Sequence, residues 1–291
     1  MNKKLTLRKS AVIGFSAMAL SMLAASAQAL PLITNGSFET TIGRGPTMTN
    51  PAGNYDYPGP FVPGSPGMLR TSANIPSHFP TLSGWDTKRS GIACVVFPNT
   101  ELTQVCGPDR FPNNKFWESP GSSFDGGNYI LIDGDPVVSD TLFQTVTGLI
   151  VGQSYDVSFY QAAAQFTDAT GDTTELWDVS LGGDPTIFTT DGNIFDGAHL
   201  LSHKMVTASK KFHPWESQTL RFKVTGPGLS AGDITSQVLG FFAVGTPGGQ
   251  PPVVLLDGVK ITAVPEPETL ALLGVGLLGI LAVSRQQKKR V

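Results

Sequence analysis

From residue 127 onward, apolar positions recur in short runs with a period near two, and Gly, Pro and Asp punctuate the runs. Gly127-Asn128-Tyr129-Ile130-Leu131-Ile132-Asp133 reads as a strand that ends at the turn Asp133-Gly134-Asp135-Pro136. Further strands are expected at 141–146, 153–162, 174–181, 186–190, 218–224, 237–244 and 252–262. In 153–162 the alternation sets Tyr155, Val157 and Phe159 on one face, whereas Leu176 and Val179 break strict alternation in 174–181. No internal repeat and no amphipathic helix of useful length interrupts the series. Short strands separated by turn residues predict an all-β domain, a sandwich or barrel.

Residues 41–126 lack that pattern. Stretches such as Asn50-Pro51-Ala52-Gly53-Asn54-Tyr55-Asp56-Tyr57-Pro58-Gly59-Pro60 are loop chemistry. So long a loop region predicts a binding surface or an insertion. Trp85, Phe97, Phe111, Phe116 and Trp117 supply apolar anchors that argue against disorder.

The two ends have a different pattern. Lys3, Lys4, Arg8 and Lys9 precede an apolar run, 11–25, and the small-x-small site Ala27-Gln28-Ala29. This is the layout of a secretory signal peptide, 1–29, cleaved by signal peptidase after Ala29, and the run is short for a span. At the other end Val264-Pro265-Glu266-Pro267-Glu268 breaks the fold, because two prolines fit neither a helix interior nor a central strand. Residues 269–284 are almost wholly apolar, and a helix over them would be about 24 Å long, slightly short of a roughly 30 Å hydrocarbon core. Arg285, Lys288, Lys289 and Arg290 in the basic tail, 285–291, are expected to stay cytoplasmic. The intervening domain, 30–263, then lies outside the inner membrane.

Pro265-Glu266-Pro267, the apolar helix with Gly274, Gly276 and Gly279, and the basic end together resemble the PEP-CTERM sorting signal, here 264–291. That resemblance implies recognition by an exosortase-type membrane protease-transpeptidase, removal of the tail, and the envelope of a Gram-negative, exopolysaccharide-making bacterium. An ordinary single-span anchor on a Pro-rich stalk is the alternative, with the same topology.

Charge sharpens the reading of the middle. The chain's formal net charge is −3, yet between the targeting ends twelve Lys and Arg face twenty-one Asp and Glu, a balance of −9. So acidic a domain repels polyphosphate, and nucleic acid is excluded as a partner. Cys94 and Cys106 are the two cysteines. In an oxidising compartment they are expected to form one local disulfide, contributing roughly 3 kcal/mol.

A second resemblance runs through the domain. Thr34-Asn35-Gly36-Ser37-Phe38-Glu39, Gly84-Trp85, Gly127-Asn128-Tyr129, Leu142-Phe143-Gln144-Thr145-Val146, Val151-Gly152-Gln153-Ser154-Tyr155-Asp156-Val157-Ser158-Phe159 and Leu256-Asp257-Gly258-Val259-Lys260-Ile261 occur in the order of the galactose-binding-like jelly roll of secreted carbohydrate-binding modules. The resemblance implies a β-sandwich, and a structural Ca²⁺ between its first and last strands with Glu39 and Asp257 as ligands. Where that family often has two adjacent acidic residues, this chain has Asp257-Gly258. Both carboxylates also read as ordinary turn or edge groups.

Sugar binding needs aromatic platforms and planar polar groups. Trp117, flanked by Lys115, Glu118 and Pro120, and Trp85 are the chosen candidates among Trp85, Trp117, Trp177, Trp215 and Tyr129, although tryptophans in a sandwich more often belong to the core. No catalytic motif is evident. His199 and His203 have i, i+4 spacing but no intervening Glu, and read as loop or strand-end residues. Asp133 and Asp135 suggest paired glycosidase carboxylates, but a Gly between them and a following Pro make a turn. Asn35-Gly36-Ser37 reads as a tight turn rather than a glycosylation site. The expected function is that of a non-catalytic exported surface or matrix protein binding carbohydrate. A structural or adhesive envelope protein without a small-ligand site, and a secreted hydrolase, are the alternatives.

Overall fold

The computed structural model describes residues 33–42, 67–68, 81–87, 92–96, 115–135, 139–182, 197–250 and 252–265, together with Gly276 and Gly279. The signal peptide, Cys106, the strand expected at 186–190, Glu266 and Pro267 lie outside the described residues. Most of the expected membrane helix does too; Gly276 and Gly279 are helical and exposed. Among the described residues no helix is long and apolar enough to cross a membrane.

The strands are β1 (Thr41–Ile42), β2 (Gly67–Met68), β3 (Thr81–Leu82), β4 (Asp86–Thr87), β5 (Ala93–Val96), β6 (Tyr129–Asp133), β7 (Thr141–Ile150), β8 (Ser154–Gln165), β9 (Thr173–Leu181), β10 (Ala198–Leu201), β11 (Met205–Thr207), β12 (His213–Lys223), β13 (Ile234–Thr246) and β14 (Pro252–Ala263). One sheet runs β10-β9-β13-β7-β4, with β11 also along β9; the other runs β12-β8-β14-β6-β5-β2; β1 and β3 form a small ribbon. The pairings are antiparallel. From β6 to β9, and again from β12 to β14, each strand passes to the opposite sheet. This alternation makes a jelly-roll β-sandwich, the all-β class expected from the spacing of turns. The strands expected at 127–133, 141–146, 153–162, 174–181, 218–224, 237–244 and 252–262 all overlap observed ones, most of which run longer.

The core between the sheets follows from period-two alternation. Val157 and Phe159 of β8, Leu220 and Phe222 of β12, and Leu239 and Phe241 of β13 point into it. Phe241 is its hub: Phe159 meets it edge-on at 5.2 Å, Trp177 at 6.0 Å, and Trp85 lies tilted at 6.2 Å. Trp177 could not be buried with an unpaired indole N–H, and it donates across the sandwich to the Leu255 carbonyl at 3.1 Å.

A second apolar layer lies on the outer side of the β8–β14–β6 sheet. Tyr129, Leu131, Ala162, Ala164, Val253 and Leu255 alternate with core residues, so β6, the end of β8 and the start of β14 are buried on both faces. Residues 115–126 cover them as a strap. Phe116 stacks on Phe166 at 5.8 Å, and Trp215 meets Tyr129 edge-on at 5.3 Å. Backbone bonds from Trp117 N to Gln165 O (3.1 Å) and from Thr167 N to Lys115 O (2.9 Å) hold one end. The indoles of Trp117 and Trp215 donate to Ala169 O (2.8 Å) and Gly121 O (3.0 Å). Part of the loop region thus serves as a lid over a second core, not as a free surface.

Replacing Phe116 by Ala should therefore cost about 3–5 kcal/mol in urea-induced unfolding. Phe124→Ala, on the exposed side of the same strap, should change stability by no more than about 0.5 kcal/mol. Equal costs for both would show that the strap does not close a core.

Candidate functional site

The edge of the first sheet carries a cleft of about 420 Å³ lined by Thr34, Gly84, Trp85, Asp86, Phe143, Gln144 and Thr145. Roughly 300–1,000 Å³ is the usual size of a small-ligand site. Its construction begins with alternation along β7, which turns Phe143 and Thr145 outward and Gln144 inward. Asp86 of β4 pairs with Phe143 and stands beside it. Gln144 is buried, so its amide must find partners. Its Oε1 accepts the Thr34 N–H at 2.8 Å, and its Nε2 donates to Thr34 O at 2.9 Å and Gly84 O at 2.7 Å. One side chain thereby fastens the N-terminal turn and the β3–β4 turn to the sheet edge. Gly84 has φ 82°, and a Cβ there would lie 2.8 Å from the Thr34 side chain, so only glycine fits.

Trp85, a sequence candidate, is 6% exposed: its ring packs on Phe38 and Phe241, its indole donates to Asn35 O at 2.9 Å, and it borders the cleft. Asn35, at φ 53°, makes the tight turn expected of Asn35-Gly36-Ser37, with its amide spent on Thr40 and Ser83 carbonyls. Trp117, expected to be exposed, is half-buried on the strap, remote in the fold from Trp85, and Lys210 Nζ lies 4.8 Å from its ring centroid. Gln144 is the positioning residue that sequence reasoning missed. Its signal was a polar residue at an inward position of an alternating strand.

Glu39 and Asp257, the expected cation ligands, belong to one electrostatic neighbourhood. Asp257 is fully buried, accepts the Gly258 N–H at 2.7 Å and takes a hydrogen bond from the Ser123 hydroxyl. Burial pushes its carboxyl up to about 7, against those hydrogen bonds and helped by Asp125 and Glu39. Exposed Glu39 lies over Gly127 and accepts the Asn128 N–H at 2.6 Å. Among the described residues no group of three or more His, Cys, Asp or Glu side chains is gathered to hold a metal ion. The departure at Gly258 has a physical cause. Its φ is 60°, at an irregularity in the β14–β8 register, and a Cβ would stand 2.6 Å from the Tyr160 ring. A second acidic side chain does not fit there.

His199 and His203 are kept apart in role: His199 contacts Asp178 at 3.0 Å, and His203 contacts Glu216 at 3.0 Å. Asp133 and Asp135 form the expected turn, Asp135 N donating to Asp133 Oδ1 at 2.9 Å. Cys94 is buried in β5 and is not a free thiol, while Cys106 lies outside the described residues.

Residues 263–286 match the PEP-CTERM protein-sorting motif, which marks an exported protein processed at the envelope. No curated protein is detectably similar to the chain. Among solved structures, the chain is similar to a CBM4 carbohydrate-binding module (TM-score 0.34, 13% identity, 80% of this chain and 100% of that one). It is also similar to TmCBM61, solved with β-1,4-galactotriose (TM-score 0.30, 15% identity, 62% and 90%). A third is the enzymatically active domain of tailspike protein 4 from bacteriophage CBA120 (TM-score 0.32, 12% identity, 62% and 20%), of whose length the chain spans a fifth. These are likenesses of shape and say nothing about a ligand.

Burial sets the pH response of the sandwich. Glu175 of β9 is buried, accepts the Thr207 hydroxyl at 2.9 Å, and burial raises its carboxyl to about 7 against bonds from Thr173 and Thr207. Burial likewise raises Asp133 to about 7, with Asp135 and Asp168 adding to the shift. Between their ordinary values near 4 and pH 7, the folded chain holds protons that the unfolded chain has lost. Stability from these groups is full at low pH and is lost as pH rises through about 7. The melting temperature should therefore be higher at pH 5.5 than at pH 8, and Glu175→Gln should reduce the difference. A wild-type melting temperature that is flat or rises over this range would contradict the assignment.

Proposed function

We propose that this is a non-catalytic envelope protein that is exported by its signal peptide, sorted by an exosortase through Pro265-Glu266-Pro267, and binds polysaccharide through its jelly-roll domain. The observation that carries the binding reading is the cleft beside β7. The aromatic residues Phe143 and Trp85 line it together with Asp86, Thr34 and Thr145, which bring a carboxylate and two hydroxyls. A pyranose has the matching chemistry, with apolar C–H faces and a girdle of hydroxyls. The rim is set by the Gln144 amide and Gly84, so a ligand orders little on entry.

The absence of a catalytic motif supports the non-catalytic part. The Ser123–Asp257 contact is a hydroxyl on a buried carboxylate, held in the strap by the Asp125 and Gly126 N–H groups. Cys94–Cys106 is the proposed disulfide. The apolar segment 269–284 is the proposed inner-membrane helix, held until processing.

Ca²⁺ is proposed as a structural ion at Glu39 and Asp257. Glu39 and Asp125 raise the Asp257 carboxyl by charge alone, and a hard cation drawn to Asp257 and Glu39 would complete its shell with water. Its chemistry there would be to offset the charge on Asp257 and tie the N-terminal turn to β14.

Affinity electrophoresis through soluble galactan, xylan and alginate should retard the protein. Asp86→Asn with Thr145→Ala should weaken that retardation about 10-fold, a loss of roughly 1.4 kcal/mol. Equal retardation of wild type and variant, or none for either, would overturn the reading. Calcium should raise the melting temperature more at pH 8 than at pH 5.5, because cation and proton compete for Asp257, and Asp257→Asn should abolish the effect. A calcium response that survives Asp257→Asn would place the ion elsewhere.

A further inference from the structure

The strap leaves the second sheet's outer face at Gly126. Beyond it, among the described residues, β12, β8 and β14 present a floor three strands wide, exposed on its two outer strands and half-buried on the central one. Register fixes its rows: Ser217 sits beside Tyr160; Thr219 beside Ser158, which is beside Lys260; and Arg221 beside Asp156, which is beside Thr262. The outward position is clear from burial, because Ser217, Thr219, Arg221, Lys260 and Thr262 are exposed while Phe222 and Ile261, next to them in sequence, are in the core. From Tyr160 to Asp156 the floor is about 14 Å long, at roughly 3.4 Å per residue.

Phe124 stands at one end of this floor. It is 69% exposed, and its ring is tilted against Tyr160 at 5.2 Å. Exposing a large apolar ring costs solvation, yet the backbone around it is held firmly. The Ser123 hydroxyl is bonded to Asp257 on the strand below. Gly126 N donates to Ser123 O at 3.2 Å, and Lys260 Nζ lies 3.7 Å from Asp125 Oδ1. Tyr160 in turn rests on Gly258, the position where no Cβ fits. The ring is therefore presented in a fixed place.

The charges on the floor are paired. Arg221 donates to Asp156 through Nε at 2.7 Å and through Nη2 at 2.9 Å, and the guanidinium holds the Asp156 carboxyl below its ordinary value. With Lys260 on Asp125, the face is close to neutral within a domain whose balance is −9. Phe124 is the one large exposed apolar side chain among the described residues of this face, too little for the apolar centre of a stable protein interface. A flat hydroxyl-bearing floor, paired charges and a fixed ring at one end suit a hydroxylated polymer chain.

We propose that this face is a second polysaccharide-binding surface, centred on Phe124, Tyr160, Ser158 and Thr219. It lies on the outer side of the second sheet, opposite the cleft on the first, so that one protein molecule bridges two polymer chains. The bridging rests on polysaccharide binding at the cleft; the second surface itself does not. Bivalency makes the protein a cross-linker, whose apparent affinity for a dense polymer exceeds that of either face.

The test uses the full chain in detergent with soluble galactan, xylan and alginate, read by light scattering for cross-linking and by affinity electrophoresis for binding. Wild type should cross-link a polymer that it binds. Phe124→Ala with Thr219→Ala should keep its melting temperature, keep binding through the cleft and lose cross-linking, with apparent affinity for dense polymer falling about 10-fold or more. The cleft variant, Asp86→Asn with Thr145→Ala, should lose cross-linking while still binding through the second face. Cross-linking that survives Phe124→Ala with Thr219→Ala overturns the second surface. Cross-linking that survives only in the cleft variant overturns the cleft instead. Binding of none of the polymers overturns both. A wild-type dimer in sedimentation without polymer, dissolved by Phe124→Ala, would make the face a contact between copies and likewise overturn the proposal.

Discussion

Much of this domain depends on burying one end of the second sheet, where β8, β14, β6 and β5 meet, on both sides. One side is the interior of the sandwich, where Trp177, Phe159 and Phe241 meet. The other is covered by residues 115–126. Without that strap, Tyr129, Leu131, Ala162, Ala164, Val253 and Leu255 would face water, an apolar area too large for a stable surface. The strap's backbone bonds to Gln165 and Thr167 at the end of β8 and accepts the Trp215 indole N–H at Gly121, while the strap's own Trp117 indole donates to Ala169 O. Covering the sheet also encloses Asp257, whose raised carboxyl is the electrostatic consequence of the same packing.

That constraint places function at the margins. The two apolar layers leave, for the proposed binding surfaces, the turn-bearing edge near β4 and the end of the sheet that the strap does not reach. At the first, Gln144 trades a buried amide for three backbone bonds and holds two turns in fixed relation. At the second, the strap's final turn holds Phe124 in water. Both proposed surfaces are framed by turns that side-chain hydrogen bonds tie to the sheets.

The long strands were legible because alternation and turn residues agree: β6, β8, β13 and β14 fall over the runs expected at 127–133, 153–162, 237–244 and 252–262. The strap was not, since a covering loop has no period of its own. Its signal lay in the partner strands. Ala162-Ala163-Ala164 and Val253-Val254-Leu255-Leu256 are apolar at consecutive positions, as strands buried on both faces are. β10 was missed because it is short and exposed, joined to the sheet by backbone pairing rather than by an apolar face, and β11 because three residues, with Met205 and Thr207 buried and Val206 exposed, are too few to show a period. The turns at Asn35 and Asp133 were readable from local chemistry. The roles of Gln144 and Gly258 were not, because each is defined by a neighbour more than fifty residues away in sequence.

The central claim is that the exported domain binds polysaccharide at the cleft beside β7. Its most direct test is a titration of the isotope-labelled full chain with oligosaccharides released from soluble galactan, xylan and alginate, followed by amide and indole N–H chemical shifts. The account predicts saturable shifts centred on the Trp85 indole and the Asp86, Phe143 and Thr145 amides. Saturable binding that left those signals in place would contradict it.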